Sequence, residues 1–354
     1  MYNLSRMNSF FPTFEKILIM KKISWFLIAV TLFMVHGSFA QKGGQEYKVI
    51  KTIPVDGNGG WDYLTVDKPT QRLFVSHGTC VDVVDLKTDK LVGQIPNTPG
   101  VHGIAIVNSL NKGFITAGRI DSVVVFDLNT LKVLDKVPTG KNPDAILYDP
   151  FSNRIFTFNG RGSSVTAIDA KTNQVAGTLP VSGKPEAAVT DGKGKIFCNI
   201  EDKSTVVKFD ALTLKIEAEW PLDPGKEPTG LSFDPKNNRL FSACSESKQM
   251  VVMDATSGKI VSIVPIGEGC DGLLFIPGDK SILTSNGEGT LTIINQSGPN
   301  DYKVAQTLAT RKSARTITYD ETTKRIYLSS AEVRMENGKR SITPRSFKIL
   351  VVGK

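Results

Sequence analysis

The sequence predicts an all-β fold, a seven-bladed β-propeller of four-stranded blades closed by the N-terminal strand. Three observations carry this expectation. A strand-and-turn phrase recurs every 41 to 44 residues. A second β-rich phrase occurs seven times. No long segment after residue 40 has the 3.6-residue period of a helix.

The N-terminal segment reads as an address rather than as structure. Lys21 and Lys22 precede an apolar run from Ile23 to Val35, and Ser38 and Ala40 supply small residues for cleavage. This is the pattern of a secretory signal peptide. The apolar run is too short to span a bilayer. Residues 1–19 only lengthen the basic start, so Met20 is the better initiator. The expected organisation is an overcalled start over 1–19, a signal peptide over 20–40, a linker over 41–46 and one propeller over 47–354. The expected location is outside the cytoplasm, periplasmic or secreted. Composition fits a globular domain: 40% of the 354 residues are hydrophobic and 22% are charged. Collagen-like, low-complexity and wholly disordered chains are thereby excluded. The net charge is +8. No clustered basic patch accompanies it, so nucleic acid is weakly supported as a partner.

Each repeat supplies its strands in a fixed order. A Pro- or Gly-rich approach opens the first strand, followed by one polar residue and small apolar ones. The polar positions are Asp62, His102, Asp144, Glu186, Thr229, Asp271 and Arg315, spaced by 40 to 44 residues. The second strand follows as RLFVSHG (72–78), KGFITAG (112–118), RIFTFNG (154–160), KIFCNIE (195–201), RLFSACS (239–245), SILTSNG (281–287) and RIYLSSA (325–331). The third ends in an acidic or amide turn at Asp85, Asp127, Asp169, Asp210, Asp254 and Asn295. Alternating β-branched residues between Gly, Asn and Asp turns are strand signals. The seventh repeat lacks a fourth strand before the chain ends, and YKVIKTIPV (47–55) has no blade of its own. The expectation is that it completes blade seven and removes two sheet edges.

These phrases resemble the YVTN, or YncE-type, propeller repeat, most clearly in NPDAILYDPFSNRIFTFNGRGSSVTAIDAKTNQVAGTLPV (142–181). The resemblance covers residues 47 to 354. It implies the fold. It also implies that the chain could be an exported binding protein, a surface protein or an enzyme, because lactonase-like and lyase-like activities occur on related propellers.

In this geometry the seven polar positions ring the mouth of the central channel. Trp61, Asp62, His77, His102, Asp144, Glu186, Asp271 and Arg315 are the candidate ligand-binding residues. His77 and His102, the two histidines after residue 40, are expected on the channel face. Asp62, His102, Asp144 and Glu186 form a candidate set for a divalent cation, Ca²⁺ or a transition metal. His77, His102, Asp144 and Glu186 could instead act as acids and bases. Trp61 could stack on a ring-shaped ligand or pack between blades. Cys244 and Cys270, in adjacent blades, are a candidate disulfide. The insertion AEVRMENGKRSITPR (331–345) is expected as a long loop on the same face. The basic rim residues Arg119, Arg161, Lys203 and Lys248 are interleaved with Asp121, Asp202, Glu246 and Glu288. The expected function is a monomeric exported binding protein for a small ligand or a cell-surface partner. A metal-assisted hydrolase or lyase and a nucleic-acid or polyanion binder are the alternatives.

Overall fold

A computed structural model of the chain describes residues 46–57, 59–336 and 339–354. The expected start, the signal peptide and all but the last residue of the linker lie outside the described residues. Seven antiparallel four-stranded sheets follow one another as the repeats predict. The fold is a seven-bladed β-propeller. Blade one runs from the channel outward as Trp61–Asp67, Arg72–His77, Cys80–Asp85 and Lys90–Ile95. The inner strands of blades two to six begin at Val101, Pro143, Pro185, Pro228 and Cys270, and that of blade seven at Ile317. No helix among the described residues is long and apolar enough to cross a membrane.

Burial explains why the middle strands read as apolar runs and the outer ones as mixed. The strand Arg72–His77 is buried at five of six positions, and Lys90–Ile95 at one of six. Both faces of each blade are covered by neighbours. The core is therefore a set of seven apolar layers, one between each pair of adjacent blades. Between blades one and two, Phe74 and Ile95 meet Ile115 and Phe126, with the Phe74 and Phe126 rings 5.6 Å apart. Each such side chain contributes about 1.5–3 kcal/mol. Stability is thus distributed around the ring.

The acidic turn residues act as local caps. Asp169 Oδ1 accepts hydrogen bonds from Lys171 N at 3.0 Å, Thr172 N at 2.7 Å and Thr172 Oγ1 at 2.9 Å. Asp85, Asp127, Asp210 and Asp254 repeat the arrangement. This is an Asx turn, which fixes the reversal between the third and fourth strands.

The N-terminal strand closes the ring. Lys48–Pro54 pairs antiparallel with Lys348–Gly353 and becomes the outer strand of blade seven. Tyr47 clasps blade six: its N–H donates to Gln306 Oε1 at 3.0 Å, and its hydroxyl donates to Asp279 at 3.1 Å.

Two expectations are corrected. Residues 331–345 are not simply a loop, because Val333–Glu336 and Lys339–Ile342 pair as a hairpin. Cys244 and Cys270 are free thiols, not a disulfide. Cys244 packs with Phe197 and Leu222 between blades four and five, whereas Cys270 packs with Phe241 and Met250 between blades five and six. Their sulfurs face opposite sides of blade five.

Candidate functional site: the channel mouth

Six of the seven ring residues sit inside β-bulges. The pairing register slips between Trp61 and Leu64, Val101 and Ile104, Pro143 and Ile146, Pro185 and Ala188, Pro228 and Gly230, and Cys270 and Gly272. Asp62, His102, Asp144, Glu186, Thr229 and Asp271 occupy those slips. A bulge frees a residue from the ladder and re-aims its side chain. Hydroxyls from the preceding blade hold the bulges in place. Thr116 Oγ1 donates to Asp144 O at 2.6 Å, Thr229 Oγ1 to Cys270 O at 2.6 Å, and Thr316 Oγ1 to Asp62 O at 2.6 Å.

All seven ring residues line one cavity of about 810 Å³ at the channel mouth. This is the size range of small-molecule sites. Tyr63 forms its floor. It lines both this cavity and a second one of about 180 Å³ further down the channel. Although it belongs to blade one, its ring packs against the apolar layer between blades three and four.

Three polar groups surround the cavity. In the first, His102 Nδ1 lies 2.6 Å from Asp62 Oδ2 and 3.5 Å from Asp144 Oδ1. In the second, Lys184 Nζ lies 2.6 Å from Glu186 Oε1 and also binds Glu201. In the third, Arg315 donates to Asp271. Burial pushes Asp144 up to about 6, the nearby His102 opposes the rise, and the charges of Asp62 and Asp271 add to it. Burial, the Asp144 charge and a hydrogen bond with Glu201 push Glu186 up to about 10. Glu201 moves the other way: accepting from Glu186 and Lys184 outweighs its burial. The pair is therefore held to a shared proton well past the usual carboxylate range, with Lys184 as counter-ion. Burial alone would lower His102, but the hydrogen bond with Asp62 and the charge of Asp144 raise it overall. Burial, then four carboxylates around it, raise Tyr63 well above the usual phenol range, so it remains a donor.

Two sequence candidates lie elsewhere. Trp61 is buried between blades one and seven, and its Nε1 donates to Ser313 O at 3.0 Å. It is a packing residue. His77 is 4% exposed and stands outside the mouth, its ring tilted against that of Phe347 at 4.7 Å and bonded to Asp82 at 2.8 Å. Its cross-strand partner is Trp61, and the two face blade seven together. The expected place for His77 on the channel face is thereby corrected.

Tyr63, Lys184 and Glu201 line the cavity but were not among the sequence candidates. The repeat carries a signal for each. Tyr63 stands where the other blades have Gly103, Ala145, Ala187, Gly230, Gly272 and Thr316. At Gly272 a side chain would not fit, because a Cβ would come within 2.7 Å of the Arg315 carbonyl. Tyr63 is the one large side chain at this position among the seven blades. Glu201 stands where the other copies have Gly, Ser or Ala, and Lys184 aligns with Gly60, Gly100 and Gly269 among others.

The rim cations Lys203 and Lys248 are engaged, with Asp202 at 3.7 Å and Glu268 at 2.8 Å. Comparison with protein-family models and with curated proteins returned no match, so the assignment to the seven-bladed β-propellers rests on the blades and their closure.

Proposed function

We propose that the protein is an exported binding protein of the YVTN, or YncE-type, propeller class that recognises a small polar ligand at the channel mouth. One observation carries this reading: seven residues from seven blades, six of them re-aimed by bulges, converge on one cavity of about 810 Å³. Structural lining alone would not need this convergence, since an unbulged strand also solvates a channel. A thermal-shift screen of polar metabolites tests the reading. A true ligand at a hundred times its Kd adds about 2.7 kcal/mol of stability. That gain should vanish in Asp144→Ala and in Thr229→Ala. A ligand whose shift survives both substitutions would place recognition elsewhere.

A second reading is a metal-assisted hydrolase. It is favoured by the donor atoms of Asp62, His102 and Asp144, which lie within 4.8 Å of one another. Two carboxylates and one imidazole suit Ca²⁺ or a transition metal, according to how far the imidazole participates. Glu186, the fourth expected ligand, is turned to Lys184 instead. Elemental analysis of untagged protein separates the readings. About one equivalent of metal, lost in His102→Ala, supports the hydrolase; its absence leaves the binding reading.

A further inference from the structure

We propose that the mouth cavity binds a small zwitterion, an amino-carboxylate of amino-acid or short-peptide size, with its ammonium toward the Asp62–His102–Asp144 wall and its carboxylate toward blade seven. This rests on the binding reading above and names its ligand class.

The argument starts from ring geometry. In a ring of seven, blade seven faces the gap between blades three and four. Charge is unevenly placed around the ring. In blades one to three, the carboxylates of Asp62 and Asp144 share the single imidazole of His102. One negative charge is left in surplus even when that imidazole is protonated. In blade four, Glu186 and Glu201 share one ammonium, Lys184, and Glu227, on the approach to blade five, adds another carboxylate to the lining. Blade seven and its approach contribute Arg311, Lys312 and Arg315. Arg311 is matched by Glu332 and Arg315 by Asp271. Lys312 is exposed and has no ion-pair partner among the described residues. One positive charge is left in surplus there.

The two surpluses do not neutralise each other. No ion pair joins Lys312 to Asp62 or Asp144 among the described residues, and all three line the cavity. Arg315 adds to the positive side: its side chain is 34% exposed, lines the cavity and donates to Asp271. A carboxylate on the ligand would meet Lys312 and the exposed part of Arg315 together. A lone cation would answer only the acidic wall, and a lone anion only blade seven. The volume is that of an organic ligand rather than of an ion. Tyr63, beneath both walls, offers a phenol hydroxyl to the polar middle of the ligand.

Titration calorimetry with three related peptides tests this. Alanyl-alanine carries both charges, its N-acetyl form only the carboxylate, and its C-terminal amide only the ammonium. The free amino acids extend the panel to side chains of every class. The expected result is that at least one zwitterion binds about tenfold or more tighter than either of its blocked forms. Lys312→Ala should erase the advantage over the amide, and Asp144→Asn the advantage over the N-acetyl form. Lys312 is exposed, so its variant keeps the fold, and circular dichroism checks both proteins. Equal binding of the blocked and free forms would overturn the proposal, as would a preference that both variants retain. A neutral or singly charged ligand from the earlier screen, lost in Asp144→Ala, would overturn the ligand class while leaving the binding reading intact. No binding from either set of compounds would overturn both.

Discussion

At Glu186 a carboxyl group keeps its proton far above the ordinary range, to about 10, first because it is buried and then because Asp144 and Glu201 stand beside it. In the unfolded chain the same group titrates near ~4.3. Between those values the folded protein holds a proton that the unfolded chain has lost. Stability must then fall as pH rises through the interval. Asp144, raised to about 6, and His102, also raised, act with the same sign. The urea midpoint is therefore expected to drop from about pH 5 to about pH 9. Glu186→Gln should flatten that slope, since an amide has no proton to lose. An unchanged slope would assign the proton to another group. Tyr63→Ala tests the floor. It joins the two cavities and should cost about 1–2 kcal/mol, below the ~3–5 of a fully enclosed ring. Ligand binding at the mouth should weaken with it. Intact affinity in a folded Tyr63→Ala protein would mean that the floor does not touch the ligand.

At the scale of the element, the Asx turn recurs in five blades, at Asp85, Asp127, Asp169, Asp210 and Asp254. Asp127, Asp169 and Asp210 are held below the usual carboxylate range, first by the backbone N–H of the Thr three residues on. Their contribution is present above the unfolded value and is lost as pH falls. Asp169→Ala removes three hydrogen bonds and should cost about 1 kcal/mol by urea unfolding. Asp169→Asn, which still accepts, should recover most of it; equal losses in both variants would point to the charge alone. This recurrence is why the strands were legible in the sequence. The ring positions were legible for the same reason, because each lies at one phase of a repeat that does not drift. Phase also explains what misled. His77 is close to the ring in sequence, but pleating turns it to the same side as Trp61, away from the axis. Cys244 and Cys270 were near in topology and opposed in facing. Tyr63, Lys184 and Glu201 were obscured by reading each repeat for what it shared. Their roles come from where one copy departs from the other six.

Taken as a whole, the molecule is a ring held by seven interfaces of similar kind, and one blade is made from both ends of the chain. Removing residues 46–55 should leave Lys348–Gly353 as an open edge and strip away the Tyr47 clasp. Such a protein is expected to self-associate, which light scattering would detect, and to unfold at lower urea. A synthetic peptide of residues 46–55 should reverse both effects. A truncated protein that stays monomeric at the original midpoint would show that the strand is dispensable.

The pairing of Lys48 with Gly353 also sets an order of events. Bringing together ends separated by about 300 residues costs roughly 5 kcal/mol of chain entropy, from (3/2)RT ln n. Most contacts within a blade span fewer than fifty residues and need no such search. Blades one to six can therefore form from local hairpins while blade seven waits for its outer strand, Lys48–Pro54, from the other end of the fold. The slowest step of folding is then the meeting of two strands, and the state just before it is a six-bladed arc with an unfinished seventh.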